Sequence, residues 1–481
     1  MSYIVNGYQC KRAFEIFEDI CAIPHGSGNE SGVADYIERF ASKLGLESKR
    51  DELGNVFLTK SACEGYEDAP SVLLQAHMDM VCEKNADVEH DFEHDGLKLF
   101  VEGDLLGARG TSLGGDNGIA VAMILALLET NAHPALECLF TVEEETGLGG
   151  AMGFDCSQIS AKRMINLDSE EENTVTVGCA GGVRTDVEFN FTQVDLQTQR
   201  EALEIKISGL AGGHSGADIN TGRASALVLL GRILQRAFCE QKVWLVSVCG
   251  GGKDNAIARE GSAVLLCESP DDLISIVRDE ESNIRKELCP LDAGFSISFG
   301  TCTASKCFRL KDTKKIIGFM SLVKTGVLKF SNQIKGLVEY SRNLGIIETH
   351  GEKVIFYLSA RSSLESQIDL ACHELDMLAS ALGAKTKHYS RYPGWEYVPD
   401  SKLREDYLDT YESLLGSRPE VVVIHAGLEC GVISSRTPGM DIISIGPNMY
   451  DIHSPAERLS LSSCEKIWMV LVAFLAKKQE K

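Results

Sequence analysis

Apolar and polar positions along the first 180 residues change period several times. Around residues 8–22 and 30–44 apolar side chains recur every three to four positions, which predicts two amphipathic helices. The turn-rich segment "IPHGSGNE" separates them. Short runs follow that are apolar almost throughout: "NVFLT", "SVLLQAHMD", "ALECLFTVEEE" and "RMINLDSE". Such runs predict strands covered on both faces. Between them, "DNGIAVAMILALLE" predicts an apolar helix, and an acidic loop spans roughly residues 83–95.

From about residue 185 to 395 the pattern changes. Strands such as "LEIKISGLAG" and "SAVLLCE" alternate with long amphipathic helices, "RASALVLLGRILQRAF" and "LESQIDLACHELDMLASAL". After "RYPGWEYVPD" the first character returns, with a helix, the strands "EVVVIHAG" and "DIISIG", and a closing helix. The expected architecture is an α/β domain with a mixed sheet covered by helices, made of residues 1–184 and 397–481. An α+β domain, residues 185–396, interrupts it. A chain of 481 residues is long enough for both.

Charge narrows the partners. There are 47 basic and 70 acidic residues, a net charge of −23, which argues against nucleic acid or an anionic membrane. The start, "MSYIVNGYQCKRAFEIFEDI", mixes acids and bases in a helical pattern and lacks an apolar signal core. The longest apolar runs are too short to span a bilayer. A cytoplasmic protein is expected. The 16 cysteines are scattered without a CxxC pair, so they read as reduced thiols, mostly in cores.

Candidate chemistry collects where strands end, as it does in α/β sheets. His77 and Asp79 stand two apart in "LLQAHMD" and would share a strand face. Asp116 lies between Gly115 and Gly118 at the start of the apolar helix, where glycines permit an unusual backbone. Glu143, Glu144 and Glu145 close the next run, Asp168 follows "INL", and His453 follows the last strand. Two imidazoles and three carboxylates suit two divalent ions sharing one carboxylate. Such a pair brings about four positive charges and turns repulsion among the glutamates into attraction. One glutamate can bind metal while its neighbour stays free as a base, and the third can face away or support a ligand from behind, since adjacent strand residues alternate in direction. His90 and His94 in "EHDFEHDG" have helical spacing, but their acidic flanks predict a solvated loop. His373 and Glu374 lack the second histidine of a zinc-binding helix and predict helix surface.

The segments "QAHMDMVCEKN", "TSLGGDNGIAVA", "EEETGLGGAMG", "INLDSEEE", "GLAGGHSGADI", "KDNAIARE", "HAGLECG" and "GPNMYDIHSPAERLS" carry a family resemblance. From about residue 10 onward the chain resembles the aminoacyl-histidine (Xaa-His) dipeptidases, part of a group of dinuclear zinc peptidases and aminoacylases. The resemblance implies a zinc-peptidase-like catalytic domain interrupted by a lid domain. It assigns one ion to His77 and Asp168, the other to Glu145 and His453, with Asp116 bridging. Asp79 would orient His77, and Glu144 would be the general base. It also implies a cis peptide between Asp116 and Asn117. His214, on the lid, would stabilise the oxyanion, in many relatives at the partner subunit's site. Asn255 and Arg361 would bind the substrate backbone and carboxylate. Glu429 would meet the free α-amine, with His425 lining the same pocket.

The expected activity is metal-dependent hydrolysis of unblocked dipeptides, with zinc first and cobalt or manganese also suited to the ligand set. A homodimer through the lid is compatible with this reading. An aminoacylase or tripeptidase of the same group, or a binding protein without turnover, are the alternatives. Arg109 and Gly115 depart from the family pattern near Asp116.

Overall fold

The computed structural model describes residues 3–477. They form two compact units: residues 3–179, 395–423 and 428–477 make one, and residues 180–394 and 424–427 the other.

In the first unit eight strands lie in the order Ser48–Arg50, Val56–Lys60, Leu136–Thr141, Val72–His77, Arg163–Asn166, Asp441–Ser444, Thr174–Cys179 and Glu420–Ile424. Leu136–Thr141, Val72–His77, Arg163–Asn166 and Asp441–Ser444 run parallel, and antiparallel strands flank them. This is the mixed sheet that the apolar runs led to expect. Val72–His77 and Leu136–Thr141 are buried at every position. Successive side chains point to opposite faces, so both faces must be covered.

Parallel pairing brings strand ends together. His77 stands opposite Thr141, Gln75 opposite Asn166, and Ser444 opposite Asn166. The residues that follow, Asp79, Glu143 to Glu145 and Asp168, therefore leave the sheet at one edge. The helix Gly115–Leu127 is buried at every position but Asp116. A helix apolar all round belongs inside a core. Asp116 and Asn117 have non-helical dihedrals, and the peptide between them is cis, as the resemblance implied. A small sheet, in the order Met449–Tyr450, Arg458–Ser460, Leu105–Ala108 and Leu99–Glu102, completes the unit. Its first two strands bracket His453, whose φ of +58° places it in the left-handed region.

The second unit holds a nine-stranded sheet. Its strand Gly181–Asn190 alternates buried with more exposed positions over its second half. Val187 and Phe189 from that strand, with Ile205 and Leu245, share a core with Leu230 and Leu234 of the helix Ala226–Glu240. The helix Pro270–Glu287 shows why such segments start where they do. Ser269 Oγ accepts from Asp272 N–H, proline occupies the first turn, and Asp271 and Asp272 complement the helix dipole.

Some local expectations change. The acidic run after Leu136–Thr141 is not strand: it turns, with Glu143 at φ +52°. His90 is buried at 8% exposure rather than solvated, because it packs edge-on against Phe92 at 4.5 Å and Lys84 Nζ donates to its carbonyl at 2.6 Å. His94 is exposed, as expected, and faces Asp91. His373 is exposed, while Glu374 pairs with the buried Arg342 at 2.8 Å. All sixteen cysteines are free thiols, nine of them buried. No helix among the described residues is long and apolar enough to cross a membrane.

Candidate metal centre and substrate residues

Asp116 stands at the middle of the polar cluster. Its Oδ1 lies 3.0 Å from His77 Nε2 and its Oδ2 lies 3.2 Å from His453 Nε2. Each imidazole nitrogen faces a second carboxylate: Asp168 Oδ1 at 3.2 Å from His77, and Glu145 Oε1 at 2.9 Å from His453. Ligand atoms of His77, Asp116 and Glu145 all lie within 4.8 Å of one another. Two ligands on one tetrahedral ion at bond lengths of about 2.1 Å stand about 3.4 Å apart, so these spacings fit. The buried Glu145 Oε1 faces only the His453 imidazole, at 2.9 Å. The donor set of imidazole and carboxylate suits divalent ions of the zinc type.

Electrostatics point the same way. Burial, followed by the charges of Asp116 and Glu429, pushes the Asp168 carboxyl up to about 8, against the pull of His77. Burial lifts Glu144 well above the carboxylate range, with Asp168, Glu429 and Glu145 adding to it and His77 opposing. Hydrogen bonds to Asp116 and Glu145 raise His453 to about 11. Burial works against ionised Asp116, yet hydrogen bonds from His453 and His77 hold it below its ordinary value. So many acids in one place need compensating positive charge.

Asp79 ties the cluster together. His77 Nδ1 lies 3.3 Å from Asp79 Oδ1. The same carboxylate accepts the backbone N–H of Glu144 at 3.0 Å, that of Glu145 at 3.2 Å, and Ser27 Oγ–H at 2.7 Å. With its carbonyl oxygen also 3.1 Å from His77 Nδ1, this one residue contacts an imidazole and two glutamate backbones. Glu143 turns away, its N–H donating to Glu30 Oε1. Ser27, Glu30 and Glu170 carry no mark in the sequence. Burial, then the charge of Asp116, raises the Glu170 carboxyl to about 7 beside the cluster.

Glu429 is fully buried. Its Oε2 accepts from Gln75 Nε2 and from Thr141 Oγ at 2.6 Å, while Oε1 is buried without a partner. Burial raises its carboxyl to about 7. Gln75 accepts in turn from Asn166, whose Oδ1 accepts from Ser444 Oγ. This chain of polar groups underlies the strand ends.

The second unit carries the other predicted residues. His214 lies on the two-residue strand Gly213–His214, paired with Ala256 beside Asn255. Asn343 Nδ2 donates to the carbonyls of Asp254 and Ala256, and Ser215 N–H to that of Asn255, so the Asn255 backbone is fixed on both sides. His214 Nδ1 accepts the backbone N–H groups of Gly216 at 3.3 Å and Ala217 at 3.2 Å. An accepting Nδ1 leaves the ring proton on Nε2. Burial, then the Arg361 charge, lowers the His214 pKa, so the ring is neutral near pH 7. Arg361 NH1 donates to Tyr392 Oη at 3.0 Å, and Arg361 Nε is buried without a partner. His425 meets Ser341 Oγ at 2.7 Å, and burial followed by the Arg361 charge drives its pKa down to about 3.

Arg109 packs over Phe100 at 5.3 Å on the small sheet.

A mixed sheet whose parallel strand ends gather imidazoles and carboxylates offers a donor set for divalent metal. The peptidase family M20/M25/M40 model matches residues 73–477, and the chain belongs to that family. It is 35% identical over 467 residues to the cytosol non-specific dipeptidase of Escherichia coli (strain K12), covering 96% of each chain. Its structure is similar to that of aminoacylhistidine dipeptidase from Vibrio alginolyticus, with a TM-score of 0.91 and 35% identity over 100% of both chains. An aminopeptidase from Bacillus cereus shares the fold at a TM-score of 0.57 and 16% identity.

Proposed function

We propose that this protein is a cytoplasmic, metal-dependent dipeptidase that hydrolyses unblocked dipeptides, Xaa-His among them, with broad specificity. The observation that carries the reading is the Asp116 carboxylate spanning two imidazoles, each of which faces a further carboxylate. The likeness over nearly the whole chain to a non-specific dipeptidase and an aminoacylhistidine dipeptidase supports the substrate class.

His77 and Asp168 would hold one divalent ion, Glu145 and His453 the other, and Asp116 both, with zinc the first expectation. Such a pair supplies Lewis acidity that activates water and polarises the scissile carbonyl. Glu144 takes the proton of the attacking water and passes it to the leaving amine. Burial and neighbouring acids, which raise its proton affinity, suit it to both steps. His214 offers a neutral Nε2–H donor to the oxyanion, its tautomer fixed by two backbone amides. Arg361 takes the substrate carboxylate through its planar fork, and Asn255 the substrate backbone. Glu429 Oε1 serves the α-amine, and His425 takes part as a neutral ring. A homodimer through the second unit is part of this reading.

A panel of unblocked dipeptides, tripeptides and N-acyl amino acids tests it. Cleavage of the dipeptides is expected; turnover of acylated substrates alone would overturn the reading in favour of an aminoacylase. Arg361→Ala is expected to raise KM for an unblocked dipeptide by about 10- to 150-fold, the worth of a hydrogen bond to a charged group. With a C-terminally amidated dipeptide the same substitution changes KM little. Equal effects on both substrates would remove Arg361 from carboxylate binding.

A further inference from the structure

Glu457 lies four residues beyond His453 and is 2% exposed. Its Oε2 accepts the backbone N–H of Leu113 at 2.7 Å and of Gly114 at 3.2 Å, and its Oε1 that of Gly115 at 2.8 Å. The next residue is Asp116. A buried carboxylate is costly unless its oxygens are satisfied, and here three backbone donors satisfy it. Those donors are the open N–H groups at the start of the helix Gly115–Leu127, which has no side-chain cap of its own at Gly114. A residue more than 340 positions away therefore does the capping.

The cap differs from an ordinary one in what it joins. On one side stands Asp116, at φ −82° and ψ +103°, outside the helical region. On the other stands the turn of His453, closed by Glu457 N–H donating to Ser454 O at 3.1 Å. The contact is also close: a Cβ on Gly115 would lie 3.2 Å from Glu457 Oε1. One side chain thus spans the segments that carry the shared carboxylate and an imidazole facing it.

We propose that Glu457 is a positioning residue that sets Asp116 against His453 before a cation binds, so that the cage is preorganised. This rests on the reading of the cluster as a metal centre. It does not touch substrate, and it acts through Asp116 and His453 alone.

The test uses the full chain stripped of metal, titrated with Zn²⁺ by calorimetry, as wild type, E457Q and E457D. Gln retains the shape but brings an NH₂ toward backbone donors, and Asp is too short to reach all three. Both variants are expected to bind Zn²⁺ about 10- to 100-fold more weakly, the usual effect of losing a group that orients a ligand. Circular dichroism checks that they remain folded. Unchanged affinity in a folded variant overturns the proposal. Hydrogen exchange of wild type gives a reading independent of either variant's folding. The amides of Leu113, Gly114 and Gly115 are expected to be protected without metal; protection that appears only after Zn²⁺ is added overturns the preset cage. A wild type that takes up no Zn²⁺ overturns the metal reading itself, a result distinct from the other two.

Discussion

Glu144→Gln is expected to lower kcat on an unblocked dipeptide by about 100- to 10,000-fold, the range of a general acid–base contribution. The substitution is nearly isosteric, and the amide cannot accept a proton from water. The backbone that carries it stays anchored, because Glu144 N–H and Glu145 N–H both donate to Asp79. The five groups of the cage remain, so metal content measured by atomic absorption stays at the wild-type level. KM changes little, since the amide side chain retains the volume and polarity of the native one. Burial and the charges of Asp168, Glu429 and Glu145 raise the proton affinity of Glu144. This is the property a group needs when it must hold a proton between attack on the carbonyl and departure of the amine. Unchanged turnover would eliminate Glu144 as the base. Loss of metal together with activity would make it a ligand instead.

Chelation is expected to abolish hydrolysis and to lower the thermal denaturation temperature, with both recovering on addition of a divalent ion. Asp116, Asp168 and Glu145 crowd around two imidazoles, with Glu429 near enough to help raise the carboxyls of both Asp168 and Glu144. Without cations this set can balance its charge only by holding protons. An ion that binds the folded chain alone at 100 times its Kd stabilises it by about 2.7 kcal/mol. Imidazole must be neutral and carboxylate ionised to bind, so binding releases protons and apparent affinity rises with pH. Differential scanning calorimetry with and without chelator reads the first effect, and titration at several pH values the second. A denaturation temperature indifferent to chelator and ion would count against the metal centre.

Much of the site was legible because its residues follow apolar runs. "VLLQAH", "LECLFT" and "RMIN" are recognisable as strands, and the acids and histidines after them stand where α/β sheets gather their chemistry. Asp116 was marked by its glycines and by the apolar helix behind it. Less of the supporting structure was legible. Strand alternation suggested that one of the three glutamates faces away, but a turn at Glu143 does this. Ser27, Glu30 and Glu457 act through hydrogen bonds to groups far along the chain, mostly backbone N–H, and a backbone N–H has no signature in sequence. His90 looked solvated because its flanks are acidic, yet Phe92 and Lys84 bury it.

The sequence by itself determined which segments are strands and helices, and which side chains sit at their ends. Both follow from local periodicity and from the cost of leaving apolar runs in water. Only the tertiary structure decided that Asp116 faces both His77 and His453, and that Asp79 and Glu457 hold the loops around them. Those contacts join residues up to several hundred positions apart. They depend on strand order and register, which no local pattern encodes.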